Sequence, residues 1–304
     1  MSDGERPTIR RLAGSVLAAV RSRPPAELAV VFLVVPALLV AVAAYPDSDT
    51  WRFSLASEGV FTGRWTLWTA FASSFVHSST NHLVDNVVNY WLLMSVAYPL
   101  SVIAGWRRRL AIVAVISLAT VPVISAWATL VALGDLTNAS AAGFSDLNNA
   151  LLGYLLVVWF AALATERRAG GRTTGQAGPH TGSAHAVDPR WALVAAIGSL
   201  AVVFAVPSGV VYFPQRPVLA AGLAVVAGAV ALHLVRASGR PRIAGLGLQP
   251  ERELLYVAGG SVVVAGVVAS LVVVPFGSNA YAHLVGYLVG LAAALGALVM
   301  GDGQ

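Results

Sequence analysis

The chain has 304 residues, 57% of them hydrophobic and only 11% charged, with a mean hydropathy of +0.75; an ordinary soluble domain carries about 25% charged residues, so this reads as a polytopic membrane protein. All nineteen basic residues are Arg, and the net charge of +5 has meaning only through where those arginines sit, giving no indication of a nucleic-acid partner. The lack of Cys excludes disulfides, thiolate catalysis and cysteine-based metal sites.

Residues 1–26 form a polar N-terminal segment with Arg6, Arg10, Arg11, Arg21 and Arg23. The apolar run that follows, about 27–45, is long enough to cross a bilayer core of ~30 Å. It lacks a small-residue cleavage site followed by a soluble domain, so it is expected to stay as a membrane helix and not to be removed as a signal. Residues 46–81 make a semi-polar loop rich in aromatics (Trp51, Phe53, Phe61, Trp65, Trp68, Phe71, Phe75), the composition of a segment lying at the membrane interface. Spans two and three are expected at about 82–104 and 110–133, joined by the basic turn Gly105 to Arg109. A short loop, 134–144, leads to span four at about 145–165.

Residues 166–190 are rich in Gly, Ser, Thr and Arg, include His180 and His185, and read as a flexible linker without metal-binding character. Four more apolar runs follow, at about 191–211, 217–235, 254–275 and 280–301, for an all-α bundle of about eight transmembrane helices. With a cytoplasmic N-terminus, sixteen of the nineteen arginines fall on the inner side, and only Arg52, Arg64 and Arg216 lie outside. This positive-inside bias predicts a multi-pass protein of the cell membrane with both termini cytoplasmic. Spans four and eight then both run from outside to inside, so Ser145 and His283 lie at similar depth near their outer ends.

Polar side chains within spans are costly and usually face the bundle interior. Ser145 stands where a polar loop becomes an apolar helix, at an N-terminus whose unpaired N–H groups carry a positive end potential. A serine there could cap the helix or attack a carbonyl. His82 and Asn86 are four apart and share a face, with Asn89 at the next turn. That face suits oxyanion stabilisation or an interhelical hydrogen-bond seam. His283 has Gly286 and Gly290 below it, and Ser145 has Asn149 and Gly153. Small-residue faces let helix backbones approach closely; if these two pack together, Ser145 and His283 come within hydrogen-bond reach. His233, beside Arg236, reads as an interfacial residue. His77 precedes span two at the membrane border, where it would orient the loop or be solvated.

Three separated segments resemble the rhomboid family of intramembrane serine proteases. Phe75 to Asn86 (FVHSSTNHLVDN) is similar to the family's second-helix signature of His, four residues, His, three residues, Asn. Gly143-Phe144-Ser145, with Ala150 to Tyr154 below it, resembles the serine motif. Ala282 to Gly290 (AHLVGYLVG) resembles the histidine helix. The resemblance implies a rhomboid-like core over 27–165, completed by the His283 helix of the 191–301 segment. It implies a serine endopeptidase that cuts transmembrane substrates near the outer face, with Ser145 as nucleophile and His283 as base. His82 and Asn86 would hold the oxyanion with the Ser145 N–H. Gly143, Asn149 and His77 would support the site, and no cofactor or metal is needed. The partners implied are transmembrane protein substrates and the lipid bilayer.

Three departures stand out. Asp146 replaces the usual glycine after the serine, where a carboxylate would weaken the positive end potential and crowd the turn; replacing it with Gly would then raise activity. Asn149 stands where the family has an aromatic residue stacked on the histidine, and could hydrogen-bond His283 instead. Three spans, not one, separate the serine and histidine helices, consistent with an inserted hairpin. Two other readings compete: an inactive rhomboid-like pseudoprotease that binds client membrane helices, for which Asp146 speaks, and a transporter using Asp85 or Asp146.

Overall fold

The computed structural model describes residues 23–173, 187–206, 216–239, 250–274 and 278–301. His180, His185 and the arginines of residues 1–22 lie outside the described residues. The helices, in chain order, are α1 (Pro25–Ala44), α2 (Arg64–Ala72), α3 (Thr80–Ile103), α4 (Arg107–Leu133), α5 (Ser145–Thr173), α6 (Trp191–Ala205), α7 (Pro217–Ser238), α8 (Pro250–Val267) and α9 (Ala280–Gly301). Seven of the described helices are long and apolar enough to cross a membrane. Helices suit that setting because each satisfies its own backbone groups where no water can.

The boundaries follow local chemistry. Proline stands in the first turn of α1 and of α7, where its missing N–H is no loss. Ser79 caps α3 by accepting from the His82 N–H at 3.2 Å. Gly105, at φ 71°, turns the chain between α3 and α4. The three arginines expected in that turn belong instead to the first turn of α4. There Arg107 pairs with Glu27 of α1, and Arg109 lies 4.7 Å over the Trp106 ring. α5 runs eight residues past its expected end, so the first part of the predicted linker is helical.

The 46–81 segment is more structured than a loop. Phe53–Ser54 pairs antiparallel with Ser140–Ala141 in a two-stranded ladder, which ties the segment to the chain just before Ser145. α2 exposes Trp65, Leu67 and Trp68, a surface that suits the headgroup level of a bilayer. From it a run of ring contacts passes through Trp51, Trp68, Phe71, Phe75 and Phe144, ending beside the serine.

α5 is the hub. Of its most apolar stretch, 83% is buried, against 11% for α1 and for α7. It packs on α9, α3, α4, α8 and α6. Its packing on α9 is the most extensive among the described helices. A side chain at Gly286 would meet the Asp146 carbonyl, one at Gly290 the Ala150 carbonyl, and one at Gly153 the Tyr287 carbonyl. The helices touch backbone to backbone because three positions lack a Cβ, as the small-residue faces of the sequence predict.

α6 and α7 form an antiparallel hairpin. Arg216 N–H donates to the Phe204 carbonyl at one end, and Ser238 to Asp188 at the other. α7 packs chiefly on α6, and α6 joins the core through α5 and a 2.8 Å bond between Ser199 and Tyr287 of α9. α8 is the inner helix of the three: it packs on α5 and α3, and the Trp159 indole donates to the Tyr256 carbonyl at 2.8 Å. α6 and α7 thus lie at the edge of the bundle, and α8 with the segment that ends it takes the place beside the serine and histidine helices.

Candidate active site

The first turns of α3, α5 and α9 and the last turn of α8 meet at one end of the bundle. Ser145 opens α5 and His283 lies in the first turn of α9. The Ser145 Oγ is 2.9 Å from His283 Nε2. His283 is buried, while Ser145 is half-buried.

The other ring nitrogen, His283 Nδ1, lies 2.9 Å from the carbonyl oxygen of Ser270. A carbonyl can only accept, so Nδ1 carries the proton and Nε2 presents its lone pair to the serine hydroxyl. The Ser270 carbonyl is available because of where it lies. A π-helical segment, Val268–Val272, ends α8, and the last carbonyls of a helix have no partner within it. π-turns of this kind recur at functional sites. Sequence reading missed Ser270, since only its main-chain oxygen meets the histidine and no residue type signals that.

Asn149 does not reach His283 directly. Its amide donates to the Ser145 carbonyl at 2.8 Å, and its oxygen lies 2.7 Å from the Ser270 hydroxyl. That hydroxyl also lies 2.6 Å from the Gly266 carbonyl. Asn149 therefore bridges the serine turn to the segment that holds the histidine, one residue removed from the contact expected.

Asp146 is fully enclosed. One carboxylate oxygen accepts from Ser74 at 2.8 Å and Ser125 at 2.6 Å. The other accepts from the Leu147 N–H at 2.8 Å. Its side chain pins the start of α5 to α4 and to the 3-10 turn Ser73–Phe75, and the turn accommodates it without crowding. A cavity of about 30 Å³ lies here, lined by Ser74, Ser125, Thr129, Gly143, Ser145 and Asn279 among others. Alanines make up most of the rest of its wall, and it is large enough for about one water.

Gly143 has φ 120°, and its N–H donates to the Ser73 carbonyl at 3.0 Å. A Cβ at this position would stand 2.5 Å from the His82 ring, so glycine is required both for the backbone and to seat that imidazole. His82 Nδ1 is 3.2 Å from the Ser78 hydroxyl. Asn86 is buried; its amide donates to the His82 carbonyl at 3.0 Å, which uses one of its two N–H bonds. Asn148 of α5 donates to the Asn86 carbonyl at 3.0 Å, a second residue that the sequence did not single out for a role. His77 lies in the loop before α3, edge-on to His82 at 5.2 Å between ring centroids. Burial, and after it the neighbouring His82, hold its pKa down at about 4, so it is neutral at pH 7 and adds no positive charge beside His82. His233 is exposed near the end of α7, apart from the site. Asn279 caps α9 by accepting from the Ala282 N–H at 3.1 Å and donates to Thr129 at 2.7 Å, which secures the histidine helix to α4.

Among the described residues no group of three or more His, Cys, Asp or Glu side chains is arranged to hold a metal. The arrangement can do base-assisted chemistry at a hydroxyl: a serine, an imidazole in the accepting tautomer, and N–H donors at a helix start.

Residues 64–170 match the family of the Rhomboid domain. The matched region runs from α2 through most of α5, so it holds His77, His82, Asn86, Gly143, Ser145 and Asn149 and stops before α9. No curated protein and no solved structure matches the chain.

Proposed function

We propose that this chain, which belongs to the rhomboid family of multi-pass membrane proteins, is an intramembrane serine endopeptidase. Its substrate is the transmembrane segment of another protein, cut near the outer face of the membrane. The observation that carries the reading is the 2.9 Å approach of Ser145 Oγ to His283 Nε2, with Nδ1 satisfied by the Ser270 carbonyl.

The reaction then follows. The Ser145 oxygen bonds to the carbonyl carbon of the scissile peptide while its proton passes to His283 Nε2. Charge develops on the substrate oxygen, and the Ser145 N–H with the His82 and Asn86 side chains receives it. As the C–N bond breaks, the imidazolium returns the proton to the leaving amine. Water next attacks the acyl-serine ester, again losing its proton to His283, and the serine is regenerated. The Ser270 carbonyl takes the orienting part that a carboxylate plays in a triad. It offers an acceptor to the Nδ1 proton but no charge to offset the imidazolium.

Asp146 was the main support for an inactive pseudoprotease. With its carboxylate held by Ser74, Ser125 and the Leu147 N–H, that support is weaker. The test is labelling of the purified protein with a fluorophosphonate probe. Wild type is expected to label, Ser145→Ala not at all, and His283→Ala at least ~10²-fold more slowly. Folded wild type that does not label would sink the reading.

A further inference from the structure

α3 carries a polar strip that the catalytic reading leaves unused. Asn81, Asp85 and Asn89 recur every four residues, on one side of the helix, and all three are exposed. The strip separates two unlike surfaces. On one side of it lie His82 and the buried Asn86, which face the site; on the other lie Val84, Val88 and Leu92, exposed apolar side chains suited to lipid. By the rise of a helix, Asp85 is about 8 Å and Asn89 about 14 Å along α3 from Thr80. The strip therefore runs from the membrane border into the apolar layer.

A carboxylate and an amide facing lipid tails are costly, and such groups find partners. Among the described residues none of the three side chains makes a hydrogen bond or an ion pair. α3 and α8 touch toward their far ends, where Leu100 lies beside Gly259, and no hydrogen bond among the described residues joins the first half of α3 to α8. A polar face of one negative charge thus borders the site on its membrane side.

We propose that Asp85, within this strip, selects substrate transmembrane segments carrying a Lys or Arg close to the scissile bond. The inference rests on the protease reading for the word substrate, and on charge complementarity for the choice of occupant. A helix laid along the strip lies one position round α3 from His82 and Asn86. A basic side chain on it meets a carboxylate where water cannot screen the pair, and the amides of Asn81 and Asn89 receive its polar neighbours.

The experiment measures binding and cleavage separately. Single-span Leu/Ala peptides, with one Lys stepped through the outer half or with Leu in its place, are reconstituted with the protein in phosphatidylcholine vesicles. Energy transfer to Ser145→Ala protein reports binding, and wild type reports cleavage. The best Lys peptide is expected to bind at least about tenfold more tightly than the Leu peptide, on the scale of desolvated charge pairs at interfaces. Asp85→Asn should abolish the preference, and Asp85→Arg should transfer it to a peptide with Asp in place of Lys. Equal binding of the Lys and Leu peptides, or a preference that survives Asp85→Asn, overturns the proposal. Charge-dependent binding without labelling or cleavage would keep the selection by Asp85 and remove the protease reading. Cleavage with charge-blind binding would do the reverse.

Discussion

Asp146 shows how far a residue's chemistry depends on its neighbours. Next to a nucleophile at a helix start, a carboxylate looks like an intrusion, and its removal should then help. Its surroundings reverse that expectation. Ser74 and Ser125, both buried, donate to it from two other elements. Asp146→Gly deprives the Ser74 hydroxyl of its acceptor and leaves Ser125 only the Pro122 carbonyl, and a buried unsatisfied polar group costs about 1–3 kcal/mol. The expected result is a lower unfolding temperature with no gain in Ser145 labelling; a variant that is equally stable and labels faster would restore the inhibitory view. Asn149 teaches the same lesson in milder form. Its amide was expected to touch the histidine, and it acts one bond away, through Ser270.

At the scale of elements, the α5–α9 contact sets the distance between serine and histidine. Gly286 and Gly290 lie against main-chain carbonyls of α5, which cannot move aside as a side chain can. Gly286→Ala pushes the first turns of the two helices apart, and overpacking of this kind costs about 1–3 kcal/mol. The larger effect is on geometry, since a displacement of ~1 Å at reacting atoms can cost about 10²-fold in rate. Ser145 labelling in Gly286→Ala is expected to fall by about that factor. Gly296, on the same helix with open space where its Cβ would go, is the control, and Gly296→Ala should label as wild type does. Equal labelling of both variants would mean that the close approach does not hold the pair together. The glycine spacing was readable in the chain; the partner of each glycine was not, because spacing names a face and not what the face meets.

For the whole molecule, the question is how three helices intervene between α5 and α9 while keeping those two parallel. α6 and α7 turn back on each other at the edge of the bundle, and α8 fills the place next to the site. α6 has 15 helical residues among those described, about 22 Å at 1.5 Å per residue, short for a ~30 Å core. The arginine distribution nevertheless predicts that it crosses. Because the chain has no cysteine, single introduced cysteines report this cleanly. Ser183→Cys is expected to react with a membrane-impermeant thiol reagent only from the cytoplasmic side, and Gln215→Cys only from the outside. Reaction of both from one side would show that α6 does not span, and the orientation of α7 would have to be reversed with it.

The membrane class, the all-α architecture and the positions of the long spans follow from sequence alone, as does the expectation that Ser145 and His283 lie at similar depth; their contact depended on the two small-residue faces packing together. Hydropathy and arginine placement act through the bilayer, a solvent whose demands do not depend on what the helices later touch. A face of small residues likewise implies a close neighbour whatever that neighbour is. Other features depend on groups far apart in the chain, or on main-chain atoms that every residue possesses. The Ser270 carbonyl on His283, the two serines around Asp146, the bridge through Asn149 and the choice of α8 as the inner helix are of this kind. Only the packing of α3, α4, α5, α8 and α9 against one another decided them, because a hydrogen bond across 72 or 121 residues of chain leaves no spacing for a reader of the sequence to recognise.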